Sequence, residues 1–345
     1  TLKELMPNAS VKIIAPTGRA AKRIGELTGV ESMTIHSLLK WNKDENTFEY
    51  SHDNPLLLDV LIIDEFSMVD NVLFAKLIDA LYDIKKICII GDINQLPSVN
   101  AGCLLKNIAM SQLFTSTKLD LVYRQSETSD IITLAQDIIY ERVDFSKYKK
   151  DIFFHENVND LTGALKATID HYLDDGFSLN DIQVLSPMYK GKRGINYLNE
   201  VLENIYNPLK EEMIKDRYRH FKKGDKIIQL RNQSTDDIYN GDIGIIEEIV
   251  KTKGEELIVA RFNDQIVEYS KDEWGNLALA YCISVHKSQG SEYPIVILVY
   301  SKENNYMLNK ALLYTAISRA SYHLHIFGNQ RLFMDSLKKS VKERK

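Results

Sequence analysis

The stretch VLIIDEF, Val60 to Phe66, constrains this chain more than any other. Its unbroken apolar run describes a strand covered on both faces, the situation of a parallel strand flanked by crossover helices. In open sheets of that kind ligands gather beyond the carboxyl ends of the strands, which is where Asp64 and Glu65 fall. Such a pair suits a Mg²⁺ nucleotide, the aspartate near the metal, the glutamate polarising a water, and a glycine-rich loop around the phosphates. No G-x-x-x-x-G-K-S/T segment occurs in the 345 residues, so only half of that site is visible.

At 345 residues the chain exceeds one comfortable core, and two or more domains are expected. With 44% hydrophobic and 26% charged residues it is globular rather than disordered or fibrous. No apolar run approaches the roughly 20 residues of a membrane span and the amino end lacks a signal pattern, so a soluble, cytoplasmic protein without membrane contact is expected. Cys88, Cys103 and Cys282 lack C-x-x-C spacing and read as small buried apolar residues rather than zinc ligands or a disulfide framework. The net charge of -5 gives no global pull toward nucleic acid, so any polyanion contact must be local.

The first half alternates strand and helix signals: VKIIAPT then GRAAKRIGELTG, VLIIDEF then NVLFAKLIDALYDI, KICIIGD then a short helix near AGCLLKNI. Leu73, Leu77, Leu81 and Ile84 make the stripe of a helix face packed on a sheet. The polar stretch around 41–55 reads as a short projecting hairpin. A second α/β block begins near LDLVYRQ and continues through IQVLSPM and the helix GINYLNEVLENIYN, where Ile195, Leu198, Leu202 and Ile205 share a face. Its strands resume at LALAYCISV, PIVILVYS and HLHIFGN; between lie short strands with turn residues, the pattern of a small antiparallel barrel inserted from about Arg217 to Trp274. The expected domains are therefore 1–112, 113–216 with 275–345, and the insert 217–274.

A lone Asp-Glu after a strand is as often a helix cap as a catalytic pair. Here IIGDINQLPSV places Asp92 and Gln95 at the same sheet edge, with Gln95 suited to sensing a terminal phosphate or its water. Thr17, Gly18 and Arg19 lie at a helix amino terminus, where free N–H groups favour a phosphate, although a plain strand-to-helix turn explains them equally. Arg124 and Arg319 stand near element ends in the second block, and an arginine donated across a cleft stabilises charge on a transferring phosphoryl group. SVHKSQGSEYP is dense in hydrogen-bonding groups suited to a sugar-phosphate chain, with Glu292 placed to accept from a ribose hydroxyl. His323 and His325 alternate on one strand face and read as structural.

Taken in order, APTGRAAKRI, TIHSLL, LIIDEFSMVD, IIGDINQLPSV, YRQ, SPMYKGKRGINYLN, YNGDIGII, SVHKSQGSEYP and YTAISRA resemble the ordered motifs of superfamily 1 DNA helicases. The likeness is to the RecD-like branch, related to the alpha subunit of exodeoxyribonuclease V, and it runs along nearly the whole chain. It implies two RecA-like motor domains, the first incomplete, with ATP in the cleft between them, single-stranded DNA across their top, and 5′-to-3′ movement. It implies a barrel inserted in the second domain and a duplex-splitting pin at the 41–55 hairpin. By resemblance Asp64 is the Mg²⁺-associated residue, Glu65 the catalytic base, Gln95 the phosphate sensor, and Arg124 and Arg319 the arginine fingers. Asp92, Gly290 and Glu292 belong with the nucleotide; Pro16, Thr17, His36, Ser284 and His286 fall in motifs that touch DNA.

In the family a strand, a phosphate-binding loop and its helix precede the APTGR motif, whereas only TLKELMPNAS precedes that strand here. The expectation is a helicase or translocase of DNA repair or recombination, acting on single strands and duplex junctions, whose motor portion lacks efficient hydrolysis as these residues alone. Partner subunits of a recombination complex are left open. The alternative is a non-hydrolysing module that binds DNA or a protein partner; a two-metal nuclease is disfavoured because the carboxylate spacing suits nucleotide hydrolysis better.

Overall fold

The computed structural model describes residues 2–42, 45–119, 129–208, 213–215, 220–233, 238–252 and 255–339. They fall into two compact units, divided after Leu119 rather than at the expected 112. Among the described residues no helix is long and apolar enough to cross a membrane.

The first unit runs α1 (Leu2–Leu5), β1 (Val11–Ala15), α2 (Gly18–Thr28), β2 (Ser32–Thr34), α3 (Ile35–Leu38), β3 (Trp41–Asn42), β4 (Thr47–Phe48), β5 (Leu56–Leu57), β6 (Val60–Ile63), α4 (Asn71–Asp79), β7 (Leu81–Tyr82), β8 (Lys86–Ile89) and α5 (Leu104–Ser111). Its main sheet is parallel, in the order β2-β1-β6-β8. The register pairs Ile14 with Ile63 and Ile63 with Ile89, so three strands finish on one edge. Ile14, Leu61, Ile63, Phe66 and Leu77 are fully buried around this sheet. The expected hairpin is present as antiparallel β3 and β4, Trp41 opposite Phe48.

Two expectations need correction. Helix α4 stops at Asp79 because Leu81 and Tyr82 pair with Leu56 and Leu57; Leu73, Leu77, Leu81 and Ile84 still join one core, but from a helix, a strand and a loop. Of the cysteines only Cys282 is buried: Cys103 is half-buried and Cys88 exposed, since β8 is an edge strand of alternating exposure.

The second unit runs α6 (Asp130–Ile139), β9 (Ile152–His155), α7 (Leu161–Asp174), β10 (Ile182–Ser186), α8 (Ile195–Tyr206), β11 (Met213–Lys215), β12 (His220–Lys222), β13 (Lys226–Gln229), β14 (Ile243–Thr252), β15 (Glu255–Phe262), β16 (Gln265–Tyr269), β17 (Leu277–Leu279), β18 (Cys282–Ser284), β19 (Tyr293–Val299), α9 (Lys310–Ile317), β20 (Ala320–Phe327) and α10 (Gln330–Leu337). Its parallel sheet has the order β18-β10-β19-β20-β9. Strand β9, short and flanked by polar residues, has no counterpart in the sequence reading. The strand predicted at LDLVYRQ lies outside the described residues.

The insert is a five-stranded antiparallel sheet, β16-β15-β14-β13-β17, whose pairings among the described residues form an open ladder rather than a closed barrel. A bulge between Ile246 and Glu248 bends β14. LALAYCISV divides between two sheets: Leu277–Leu279 pairs antiparallel with β13, and Cys282–Ser284 pairs parallel with β10. The insert therefore extends to Leu279, past the expected Trp274.

Buried charges hold the insert to the parallel sheet. Lys226 Nζ donates to the carbonyls of Leu179 and Ile182 at 2.8 and 3.0 Å. On α8, the fully buried Glu203 lies 3.3 Å from Lys222 Nζ and 2.9 Å from His220 Nε2. Asp225 accepts from Asn207 Nδ2 and from the Lys222 amide at 2.8 and 2.7 Å; burial pushes its carboxyl above the usual range. Removing one partner of such a set leaves a buried charge uncompensated, at a cost of roughly 3–5 kcal/mol.

At the β20–β9 end of this sheet His325 Nδ1 lies 2.9 Å from His155 Nε2, and the Tyr172 hydroxyl lies 2.7 Å from His325 Nε2 and 2.8 Å from His323 Nδ1. Neutral side chains satisfy all three contacts, each group donating in one direction along the row. Burial, then the neighbouring His155, His323 and His171, push His325 down to about 3. The unfolded chain takes up that proton near the ordinary 6.5, so the unfolded state binds more protons once pH falls below 6.5. The second unit should lose roughly 2 kcal/mol from this residue between pH 7.5 and pH 5. Urea unfolding across that range measures it; His325→Gln should flatten the dependence, and an unchanged slope would remove His325 as its source.

Candidate nucleotide and nucleic-acid site

Three backbone bonds tie the loops at the carboxyl edge of the first sheet. Asp64 N donates to Ile14 O at 2.9 Å, Ile90 N to Ile63 O at 2.8 Å, and Phe66 N to Ile90 O at 3.0 Å. Asp64 leaves the end of β6 with Oδ1 accepting from the Glu65 amide at 2.8 Å. Glu65 has φ 49° and ψ 37°, the left-handed region, which costs a side-chain-bearing residue roughly 1–2 kcal/mol. It caps the 3₁₀ turn Phe66–Met68. Gly91, after β8, packs against that turn: a Cβ there would lie 2.8 Å from Leu105 Cδ2 and 3.2 Å from the Phe66 and Ser67 amide nitrogens. Only glycine lets the two loops approach so closely.

Beyond Gly91, Asp92 Oδ1 accepts from the Asn94 amide at 2.9 Å, and its carbonyl accepts from the Gln95 amide at 3.3 Å. Gln95 Oε1 and Ser67 Oγ are buried with no hydrogen-bond partner among the described residues. Buried polar atoms are normally bonded, so two acceptors beside Asp64 and Glu65 suit a polar ligand at this edge. No cluster of three or more His, Cys, Asp or Glu able to hold a metal ion occurs among the described residues. A cation at Asp64 therefore has to draw most ligands from phosphates and water, which is how Mg²⁺ is commonly held. The Asp64 carboxylate and the unpartnered Gln95 Oε1 and Ser67 Oγ are groups that fit a Mg²⁺-nucleotide.

Pro16 and Thr17 follow β1 at the same edge, and Thr17 caps α2 by accepting from the Ala20 amide at 3.3 Å. His36 on α3 sits in an aromatic group, its ring 6.1 Å from Trp41 and 5.8 Å from Phe48, with Trp41 and Phe48 4.6 Å apart. Desolvation by these neighbours lowers its pKa below 6.5, against the raising effect of Asp70. The sequence reading missed Trp41, Phe48 and Gly91; aromatics at both hairpin strands and a glycine just after an apolar strand were the available signals.

In the second unit Ser284 ends β18, and His286, Gly290 and Glu292 occupy the connection from there to β19. The Ser284 hydroxyl accepts from the Lys287 amide at 3.2 Å, and Gly290 adopts φ 72°. Arg319, only 4% exposed, donates from Nε to Thr315 O, from Nη1 to Ser291 O and from Nη2 to Ser318 Oγ at 3.1, 2.8 and 3.1 Å. Its guanidinium thus pins the turn that carries Gly290 and Glu292. Arg124 lies outside the described residues.

Residues 1–101 match the AAA domain family, 198–262 the ATP-dependent RecD-like DNA helicase SH3 domain, and 279–327 the UvrD-like helicase C-terminal domain. The ATP-dependent RecD2 DNA helicase of Deinococcus radiodurans is 32% identical over 318 residues, covering 90% of this chain and 42% of that protein. RecBCD enzyme subunit RecD of Buchnera aphidicola subsp. Acyrthosiphon pisum is 27% identical over 415 residues, covering 99% of this chain and 68% of that protein. The chain thus spans less than half of the first relative and about two thirds of the second. Two solved structures share the fold. The Pif1 helicase from Candida albicans has TM-score 0.58 and 19% identity, covering 96% of this chain and 87% of that one. The Bacteroides Pif1 helicase in complex with ADP-AlF3 and ssDNA has TM-score 0.57 and 18% identity, covering 98% and 87%.

The loop packing predicts that Gly91→Ala destabilises the first unit by about 1–3 kcal/mol through overcrowding, and Thr17→Ala by about 1 kcal/mol through loss of the cap. Hydrogen exchange at the β1, β6 and β8 amides reads both; undiminished protection in Gly91→Ala would show that the loops do not depend on this contact.

Proposed function

Because the chain belongs to the RecD-like superfamily 1 helicases, we propose that it is the motor portion of an ATP-dependent DNA helicase moving 5′ to 3′ along single-stranded DNA. The observation that carries the reading is the convergence of Asp64, Glu65, Asp92 and Gln95 on the carboxyl edge of one parallel sheet, with Gln95 Oε1 buried and without a partner among the described residues. Mg²⁺-ATP supplies the scissile phosphoanhydride and the metal's charge when bound. Asp64, fixed by its own amide bond to β1, holds the cation side. Glu65, held in a strained turn, takes the proton from an attacking water, and the Gln95 amide group orients that water. Arg124 and Arg319 act as the arginine fingers. Arg319 also keeps the Gly290–Glu292 turn in place beside the nucleotide.

Pro16, Thr17, His36, Ser284 and His286 contact the DNA strand, mostly its backbone. The β3–β4 hairpin, with Trp41 and Phe48 at its base, acts as the pin at a duplex junction. A repair or recombination role belongs to the same proposal. A phosphate-gripping lysine of the usual loop is not among these 345 residues, so they alone should hydrolyse ATP weakly.

Comparing residues 1–345 with a longer form, in which a phosphate-binding loop and its helix are added at the amino end, with and without single-stranded DNA, tests this. DNA-stimulated turnover should appear in the longer form and fall roughly 10²- to 10⁴-fold in Glu65→Gln. Efficient turnover by residues 1–345 that is lost in Glu65→Gln would mean that other residues hold the phosphates. Arg319→Ala should cost on the order of 10³ in rate or more, and unchanged turnover would remove it from the site. Replacing the insert should damage unwinding more than hydrolysis; equal losses would assign it to the motor itself.

A further inference from the structure

Where the inserted sheet meets the parallel sheet of the second unit, the chain encloses a half-open cavity of about 300 Å³. That volume is at the low end for small-ligand pockets, enough for one planar ring system. Its walls are apolar: Ile195 on α8, Phe221 on β12, Leu277 and Leu279 on β17, and Ile283 on β18. Polar groups interrupt the apolar wall: Tyr189, Ser284 and Lys287, with Asn196 and Asn199 on α8 and His220 on β12.

At this opening the lysine lining the cavity is Lys287. Lys287 Nζ donates to Asn240 Oδ1 at 2.9 Å and has no carboxylate partner among the described residues. Burial lowers its pKa, so its ammonium is poorly compensated and gains from a nearby anion. Tyr189 is 52% exposed, and Lys190 and Lys192 beside it are exposed and make no ion pair among the described residues. Glu303 Oε2 lies beside Gly191, between those two lysines, so the cation that counts at the cavity is Lys287. A largely apolar slot beside an exposed aromatic ring, with one lysine in its wall, is the chemistry that takes a base together with its phosphate.

We propose that the cavity takes one nucleobase of a bound single strand, with Tyr189 against the base and Lys287 meeting the adjoining phosphate. Ser284, already placed on the strand's path, forms part of the same wall. The inference rests on the DNA-binding reading above and adds to it a contact that recognises the base, not the backbone. The pocket would therefore retain a base-bearing strand more tightly than a bare sugar-phosphate chain.

Fluorescence anisotropy of the 345-residue protein with short oligothymidylate, and with an abasic oligomer of equal length, separates the two readings. The wild type should bind oligothymidylate roughly tenfold more tightly than the abasic oligomer. Ala278→Phe and Ala278→Leu, which fill the cavity from β17, should collapse that ratio while leaving abasic binding unchanged. Tyr189→Ala, at an exposed position, should lower the ratio without altering the thermal midpoint, and serves if the cavity-filling variants fail to fold. Lys287→Gln should weaken both oligomers and reduce the salt slope by about one. A ratio near one in the wild type, or one that survives every folded variant, overturns the base pocket while DNA binding stands. Failure of both oligomers to bind overturns the DNA reading and the pocket with it.

Discussion

The bonds from Asp64 to Ile14, from Ile90 to Ile63 and from Phe66 to Ile90 are what the rest of the first unit depends on. A parallel ladder leaves its last peptide groups reaching past the strand ends, and here those groups bind the neighbouring loops instead of water. Polar side chains are thereby brought to one edge by backbone geometry. The same arrangement explains why a strained residue is tolerated at position 65: the turn after it is fixed at both ends, by Asp64 before and by the β8 loop behind. Strain held by its surroundings in this way is a common property of sites that must present a group in one orientation.

Much of this was legible in the sequence. Unbroken apolar runs in β6 and β19 announced parallel strands because both faces of each are covered, and the residues just after β6 and β8 marked the site because their strands were unmistakable. What was not legible depended on partners distant in sequence. Leu81 and Tyr82 look helical by periodicity, yet Leu56 and Leu57 draw them into a strand pair. Strand β9 is defined by Leu324–Phe327, its neighbours about 170 residues later, more than by its own composition. Glu203 sits on a helix face that periodicity assigns to apolar residues, and only Lys222 and His220 from the insert make its burial intelligible.

The insert and the parallel sheet are joined by a mixture of forces with different reach. Leu279 packs with the cores of both, so the hydrophobic contact is continuous. Lys226, Glu203 and Asp225 add bonds that exist in only one alignment, because a buried charge displaced by an ångström loses its partner without regaining water. Apolar contact alone would hold the two sheets together and let them slide; the charges fix where they stop.

Only Ala280 and Tyr281 separate β17, in one sheet, from β18, in the other, and both are buried. Ala280 N donates to Lys226 O at 2.8 Å and the Tyr281 hydroxyl to Asp225 Oδ1 at 3.3 Å, so the crossing itself is bolted to the insert. A link this short has no slack to absorb displacement. Mechanically the pair behaves as a stiff lever: a load applied to the outer strands of the insert is delivered, undamped, to Ser284 at the end of β18.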